Sequence, residues 1–271
     1  MGETFKIGLI AGRGNLPFEV LQEIRSLGHK SVVVGLAGEA DSKIAALAGE
    51  FQEIAAPQLG AIIDFLKAGE IKELVMAGKV GKEALFKGGF DQRFQNLLAK
   101  LTVKNDDAIL LALVQEFEES GLPVAKQTDY LRSLLVEPGV ILGDISERER
   151  ADVDLGFRVA KAMGGLDIGQ SVVVKHGVVL AVEAIEGTDQ AIIRGGALGG
   201  NGAVVVKVSK PAQDERFDVP TIGKSTILSM ITAGATVLGI EAGKTLLTER
   251  EELLAEATAH GIKIIAVQHT F

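Results

Sequence analysis

Through the first half of the chain, short β-branched runs alternate with longer amphipathic ones, and this alternation restricts the possible fold more than any other feature. Strand and helix in regular rotation are the parts of βαβ units, which form a parallel sheet with helices on its faces. Phe5 to Ala11 reads as the first strand. After the turn GRGNLP, Pro17 to Leu27 puts Val20, Leu21, Ile24 and Leu27 on one helical face, with Pro17 in the first turn and Gly28 closing the helix. Strands follow at Ser31 to Leu36, Phe51 to Ala55 and Glu73 to Ala77, with helical patterns near Asp41 to Ala48 and Gln58 to Ala68. A Rossmann-like half is expected here.

From Gly88 to Gly121 the pattern becomes helical, first through Phe94, Leu97, Leu98 and Leu101, then through Ile109, Leu110, Leu113 and Phe117, and LPVAKQ returns to extended structure. Val136 to Asp144 carries Pro and two Gly between helical patterns and reads as a linker. The expected division is therefore a nucleotide-binding domain over 1–135 and a catalytic α/β domain over 136–271. A chain of 271 residues has the length for two cores. The second half opens with a helix over Arg150 to Met163. Ser171 to Lys175 and Val178 to Ile185 then form a hairpin turning at His176-Gly177. Strands at Ala203 to Ser209 and Val237 to Glu241, a helix at Ser225 to Ala233 and a closing helix-strand pair from Glu249 to Val267 complete the pattern.

The formal charge of −8 gives no electrostatic footprint for a polyanion, so nucleic acid is not an expected partner. The absence of cysteine excludes a disulfide framework, a thiolate nucleophile and Cys-based metal sites. It also fits a reducing compartment, and MGETFKIGLIAG lacks the layout of a signal peptide, so the cytoplasm is expected. The uncharged stretch Ser225 to Ile240 is broken by Ser, Thr and Gly, which limits any membrane contact to the periphery.

The chemistry concentrates in two carboxylate-bearing turns, VEAIEGTD at Val182 to Asp189 and RFDVPTIG at Arg216 to Gly223. Strand alternation groups Glu183 with Val179, Ala181 and Ile185, where an unpaired charge is costly and a cation would compensate it. Thr188 or Asp189 is a fair helix N-cap candidate, and for Asp189 capping weighs equally with a ligand role. Asp218 sits in a loop stiffened by Pro220 and Gly223, which can aim a carboxylate. Oxygen donors without cysteine or spaced histidines favour Mg²⁺ or Mn²⁺, with Asp218, Glu183 and Asp189 as ligands. The histidines His29, His176, His260 and His269 are scattered. Such parts suit phosphoryl transfer, with Lys207 and Arg194 available to absorb charge, although a surface role explains either equally well.

In the first half, GRGN follows a strand and opens a helix, so the N–H groups of Gly12 to Asn15 can face a phosphate, although a plain βα turn explains the motif as well. Pro17 stands where a dinucleotide fingerprint requires its third glycine, and no acid ends the second strand cleanly. Lys79 in MAGKV ends a later strand at the same expected edge. Asn105, Asp106 and Asp107 precede a helical run and include an N-cap candidate.

Four segments in order, GLIAGRGNLP, LDIGQSVVV, AVEAIEGTD and RFDVPTIG, resemble the LpxI-type UDP-2,3-diacylglucosamine pyrophosphatases of lipid A synthesis and span nearly the whole chain. The resemblance implies a Rossmann-like domain, a C-terminal α/β domain and a substrate cleft. It also implies metal-dependent attack of water on the β-phosphorus, releasing UMP and lipid X, with Asp218 as the matching catalytic aspartate. The candidate catalytic set is Asp218, Glu186, Asp189 and Thr221. The candidate substrate contacts are Gly12, Gly14, Asn15, Leu16, Lys79, Gln170, Thr188 and Lys207. Peripheral contact with the inner leaflet is expected, and a homodimer is left open. The competing readings are a noncatalytic nucleotide or lipid sensor and a nicotinamide-dependent oxidoreductase.

Overall fold

The computed structural model describes residues 3–81, 89–102 and 106–268, and the chain forms two compact units, Met1–Leu131 with Glu215–Phe217, and Arg132–Asp214 with Asp218–Phe271. The expected positions Asn105 and His269 lie outside the described residues.

The first unit is built on a parallel sheet of order β3-β2-β1-β4, with β1 at Lys6–Ala11, β2 at Lys30–Leu36, β3 at Glu50–Ile54 and β4 at Glu73–Ala77. Its central strands are continuous apolar runs because both faces are covered. Ile10, Val32, Val34, Leu74 and Met76 share one core with Leu59, Ile62 and Leu66 of α2 (Leu59–Ala68). Phe94 and Leu97 of α3 (Gln92–Lys100) and Val114 and Phe117 of α4 (Asp106–Glu119) close that core. The residues of opposite parity, Ile7, Leu9, Val33 and Val75, are also fully buried. Helix α1 (Leu16–Ser26) packs against β1, β2 and β4 through Val20, Leu21 and Ile24. The stretch Asp41 to Ala48, expected to be helical, forms only a 3₁₀ turn at Ser42–Ala46, because it buries a single apolar side chain, Ile44. Val124, in the extended LPVAKQ, makes a parallel bridge to Leu74.

The second unit contains a mixed sheet of order β5-β12-β10-β8-β6-β7. Strands β8 (Ala203–Lys207), β10 (Ala235–Glu241) and β12 (Lys263–Val267) are mutually parallel, whereas β5 (Gly139–Leu142) and β6 (Ser171–Lys175) run antiparallel to their neighbours, as does β7 (Val178–Val182) to β6. The expected linker therefore contains a strand. Its Pro and glycines obscured it, and they are tolerated because β5 is an edge strand with Gly139 and Val140 exposed.

One face of this sheet is covered by α5 (Glu147–Gly165), whose Val153, Phe157 and Ala160 meet Val172, Val174, Val204 and Val206. The other face is covered by α6 (Thr188–Gly199), α7 (Lys224–Ala233) and α8 (Arg250–Ala259), through Ile192, Ile227, Met230 and Leu253. Helix α5 starts with a capping box between Ser146 and Glu149. The Glu149 carboxylate is pushed up by burial, but hydrogen bonds from Ser146 and Lys263 outweigh this and hold it below its ordinary range. The hairpin turn has positive φ at both His176 (53°) and Gly177 (78°), and the buried Asp152 of α5 accepts both turn N–H groups, at 2.8 and 2.7 Å. A small parallel pair, β9 (Thr221–Ile222) with β11 (Leu246–Leu247), holds the end of the Asp218 loop.

Candidate active site

One edge of the second sheet gathers most of the polar residues singled out in the sequence. Because β6 is antiparallel to β8, its first residue, Ser171, pairs with the last residue of β8, Lys207. Val208 N–H then donates to the Gln170 carbonyl at 3.0 Å, fixing the loop that leaves β8 against the segment that enters β6. This is the carboxyl edge of the parallel strands, the usual place for ligands in α/β sheets.

Glu183 is buried as expected, but not by strand alternation: β7 ends at Val182, Val179 is 37% exposed and Ile185 is 99% exposed. The carboxylate is compensated by protein donors. Its Oε1 accepts from Thr188 Oγ1 at 3.0 Å and its Oε2 from Gln170 N at 3.3 Å, while Thr188 and Ser171 hydroxyls lie 3.2 Å apart. The Gln170 Oε1 is buried and accepts no hydrogen bond from the described residues. An orphan acceptor of this kind carries a desolvation penalty of about 1–3 kcal/mol that a ligand donor would relieve.

Asp218 is half-buried in the loop between β8 and β9. Its Oδ2 accepts from Gln213 Nε2 at 2.5 Å, and its N–H donates to the Asp214 carbonyl at 3.0 Å. Lys207 is 9% exposed and its Nζ donates to the Thr221 carbonyl at 3.1 Å, tying the start of the loop to its end. Thr221 Oγ1 donates to the Val219 carbonyl. Glu186 and Asp189 are engaged differently. The Arg194 guanidinium makes a short ion pair with Glu186, whose Oε2 also accepts from Ala184 N at 3.2 Å. That guanidinium holds the Glu186 carboxyl below its ordinary range. Asp189 lies in the first turn of α6, where its charge favours the helix dipole. The N-cap itself is Gly187 at φ 81°, not Thr188 or Asp189, because the chain enters the helix through a conformation suited to glycine.

These carboxylates do not form a ready cage for a cation. Among the described residues no group of three or more His, Asp or Glu side chains is arranged to hold a metal ion. Glu183 is already satisfied by Thr188 and Gln170, so of the expected set Asp218, Glu183 and Asp189 it has the least capacity to spare.

In the first unit the glycine turn serves packing. Gly12 N–H donates to the Ala77 carbonyl at 2.8 Å, and Arg13 and Lys79 exchange both backbone hydrogen bonds, at 2.8 and 2.9 Å. Two N–H groups expected to face a phosphate are thus already spent. A Cβ on Gly12 would lie 2.6 Å from the Lys79 carbonyl oxygen, so the glycine permits the close approach of two loops. Gly14 has φ 99°, which accounts for the second glycine. Asn15 and Leu16 cap and open α1, and the Lys79 side chain is exposed. The sheet edge opens into a cavity of about 420 Å³, rimmed by Gly12 and Lys79 and walled by hydrocarbon from Ile10, Leu36, Met76, Phe94, Leu113 and Phe117. Phe217 also lines it, and Phe217 immediately precedes Asp218 in the chain.

Two buried or engaged carboxylates near the sheet edges escaped the sequence. Glu39, three residues beyond β2, accepts from Arg13 at 3.0 and 2.7 Å and from Gly81 N at 3.0 Å. A carboxylate so occupied is a poor partner for a nicotinamide ribose, which weighs against the oxidoreductase reading. The signal was a lone acid soon after a parallel strand. Glu241, at the end of β10, offers the same signal, and forms a partly buried ion pair with Lys161 of α5 at 2.9 Å.

Comparison with known proteins bears on both units. The family description "LpxI N-terminal domain" matches residues 6–134 and "LpxI C-terminal domain" matches residues 137–265. The UDP-2,3-diacylglucosamine pyrophosphatase LpxI of Caulobacter vibrioides is 34% identical over 276 aligned positions, covering 97% of each chain. Among solved structures, the UDP-glucose-4-epimerase of Stenotrophomonas maltophila aligns at 13% identity over 44% of this chain and 34% of its own, with a TM-score of 0.30. The biotin carboxylase domain of the Hydrogenobacter thermophilus 2-oxoglutarate carboxylase aligns at 15% identity over 65% and 36%, with a TM-score of 0.29. The chain spans about a third of the length of those two structures, and nothing about ligands follows from so slight a likeness. Among the described residues no helix is long and apolar enough to cross a membrane.

Proposed function

The chain belongs to the LpxI family, and from that premise we propose that it hydrolyses the diphosphate of UDP-2,3-diacylglucosamine in lipid A biosynthesis. The observation that carries the reading is the 34% identity to a pyrophosphatase of that name over 97% of both chains. We assign water attack to the β-phosphorus: a P–O bond forms to water, the bond to the bridging oxygen breaks, and UMP leaves from 2,3-diacylglucosamine 1-phosphate.

Asp218 is the carboxylate assigned to this centre. One of its oxygens is held by Gln213 and the other accepts nothing from the described residues, so acceptor capacity remains for a water proton. Lys207 and Thr221 flank the same loop, and Gln170 offers its unpartnered carbonyl to a donor on the nucleotide or sugar. Glu183 and Thr188 brace that end of the site. We assign the hydrocarbon-walled cavity to a fatty acyl chain, since each methylene buried there stabilises binding by about 0.8 kcal/mol. The parallel order β3-β2-β1-β4 supports a Rossmann-like description of the first unit, with ligand binding assigned to 1–135 and chemistry to 136–271.

We also propose dependence on Mg²⁺ or Mn²⁺. The cation is assigned to the diphosphate itself, on which a hard ion arrives and takes one or two protein oxygens. Cytoplasmic location and contact with the inner leaflet follow from the substrate.

The test is UMP release from UDP-2,3-diacylglucosamine by purified protein, with and without chelator. Asp218→Ala is expected to lower kcat by about 10³-fold or more while retaining substrate binding, the scale of losing an essential group in the transition state. Binding without UMP release by wild-type protein, even with added Mg²⁺, would instead make it a sensor.

A further inference from the structure

We propose that Gln213 is a positioning residue that sets the orientation of the Asp218 carboxylate, an inference that rests on the reading of Asp218 as the reacting group. The amide can face only one way. Its Oε1 accepts from Lys210 N–H at 2.7 Å and from Ser209 Oγ at 3.2 Å. A backbone N–H can only donate, so turning the amide over would set two donors against each other. The NH₂ end is therefore committed to Asp218 Oδ2, which accepts from it at 2.5 Å.

The support behind Gln213 is anchored in the sheet. Ser209 is 5% exposed, and its N–H donates to Glu241 Oε2 at 2.8 Å. Lys161 Nζ bonds both Glu241 oxygens at 2.9 Å and the Ser209 carbonyl at 2.8 Å. Hydrogen bonds thus run without a break from Lys161 on α5, through Glu241 at the end of β10 and Ser209 just past β8, to Gln213 and Asp218. The second contact on the aspartate, its N–H to the Asp214 carbonyl, closes the turn locally. The result is a carboxylate with one oxygen pinned and the other accepting nothing from the described residues. A group held in this way loses little orientational freedom when it meets the reacting water.

Three variants separate this role from simple loop bracing. Gln213→Leu removes the donor, and kcat is expected to fall by about 10–100-fold with KM within about twofold. Gln213→Glu keeps the acceptor for Lys210 and Ser209 but turns an acceptor toward Asp218, so its kcat is expected to fall at least as far. This variant decides the matter if Gln213→Leu does not fold. In an Asp218→Ala background, Gln213→Leu should remove no further residual turnover, because Gln213 acts through the aspartate. Full turnover by Asp218→Ala would remove the reading on which the inference rests. Loss of turnover in Asp218→Ala with wild-type kcat in either folded Gln213 variant, or an additive loss in the double variant, would overturn the inference alone.

Discussion

The carboxyl edge of the first unit's sheet and that of the second are made of opposite materials. In the first unit the strands open onto hydrocarbon, with Ile10, Leu36, Met76, Phe94 and Phe117 around the cavity, and the glycine turn beside it spends two of its N–H groups, those of Gly12 and Arg13, on the end of β4 and the residues just after it. In the second, Lys207, Ser209, Glu241, Gln170, Glu183 and Asp218 line the edge in separate groups of hydrogen bonds, Lys207 with Thr221, Glu241 through Ser209 and Gln213 to Asp218, and Gln170 with Glu183. Both edges occupy the position where α/β proteins bind ligands. What each edge takes is decided by its side chains, so a glycine-rich βα turn is weak evidence for phosphate until its N–H groups are shown to be unspent.

The strongest way to break this contrast is to remove the charge that organises the polar edge. Lys161→Met leaves Glu241 without its cation, and because the pair is partly solvated and Ser209 N–H still donates to Glu241, the loss of stability should fall below the about 3–5 kcal/mol of a fully buried pair. Denaturant unfolding is expected to show that loss, and the double variant Lys161→Met, Glu241→Leu to recover much of it. Recovery of stability without recovery of turnover would indicate that the pair serves to hold the Ser209 end of the loop. An unchanged unfolding midpoint in the single variant would mean that the polar edge is organised by other contacts.

The apolar edge is tested by filling it. Leu113→Trp puts a larger ring into the cavity wall, and excluding two methylenes at about 0.8 kcal/mol each weakens binding about tenfold. The measurement is the ratio of kcat/KM for the diacylated substrate to that for UDP-glucosamine, which should fall about tenfold. An unchanged ratio would take the acyl chain out of this cavity.

Much of the fold was legible because period and composition coincide in β1, α1, β2 and β4, where both sheet faces are covered and the strands read as solid Val, Ile and Leu. The edge strand β5 was hidden by Pro138 and Gly139, and the 3₁₀ turn at Ser42–Ala46 passed for a helix because its polar residues mimic a solvated face. At the site, Asp218 stood out through Pro220 and Gly223, which stiffen its loop. Gln213 gave no signal: a side-chain amide in PAQDERFD has no period, and its role depends on Lys210 and Ser209 folding back toward it. The burial of Glu183 was foreseeable, but its compensation was not, because the Gln170 N–H comes from a segment that the β6–β7 pairing brings to it, and the Thr188 hydroxyl reaches it only through the turn that opens α6. The apolar cavity was out of reach for the same reason, since its walls come from strands and helices scattered between Ile10 and Phe217.

The smallest effect is expected at Glu186, where chemistry and structure give opposite forecasts. Arg194 and the Ala184 N–H hold this carboxylate at the entrance to α6, and the guanidinium depresses its pKa. A carboxyl whose folded pKa lies below its unfolded one adds stability above the ordinary carboxylate range, and that stability disappears as pH falls through the depressed value. Because the pair is open to solvent, screening keeps the contribution small. Glu186→Gln should therefore lower the thermal midpoint slightly at pH 7, with the difference from wild type closing in acid and shrinking in high salt. The same variant tests its place in the catalytic set. An acid whose oxygens serve Arg194 and the Ala184 N–H, and not a reacting group, is expected to leave kcat within about twofold when neutralised. A collapse of kcat with the midpoint unmoved would instead extend the reacting centre from the Asp218 loop to the start of α6.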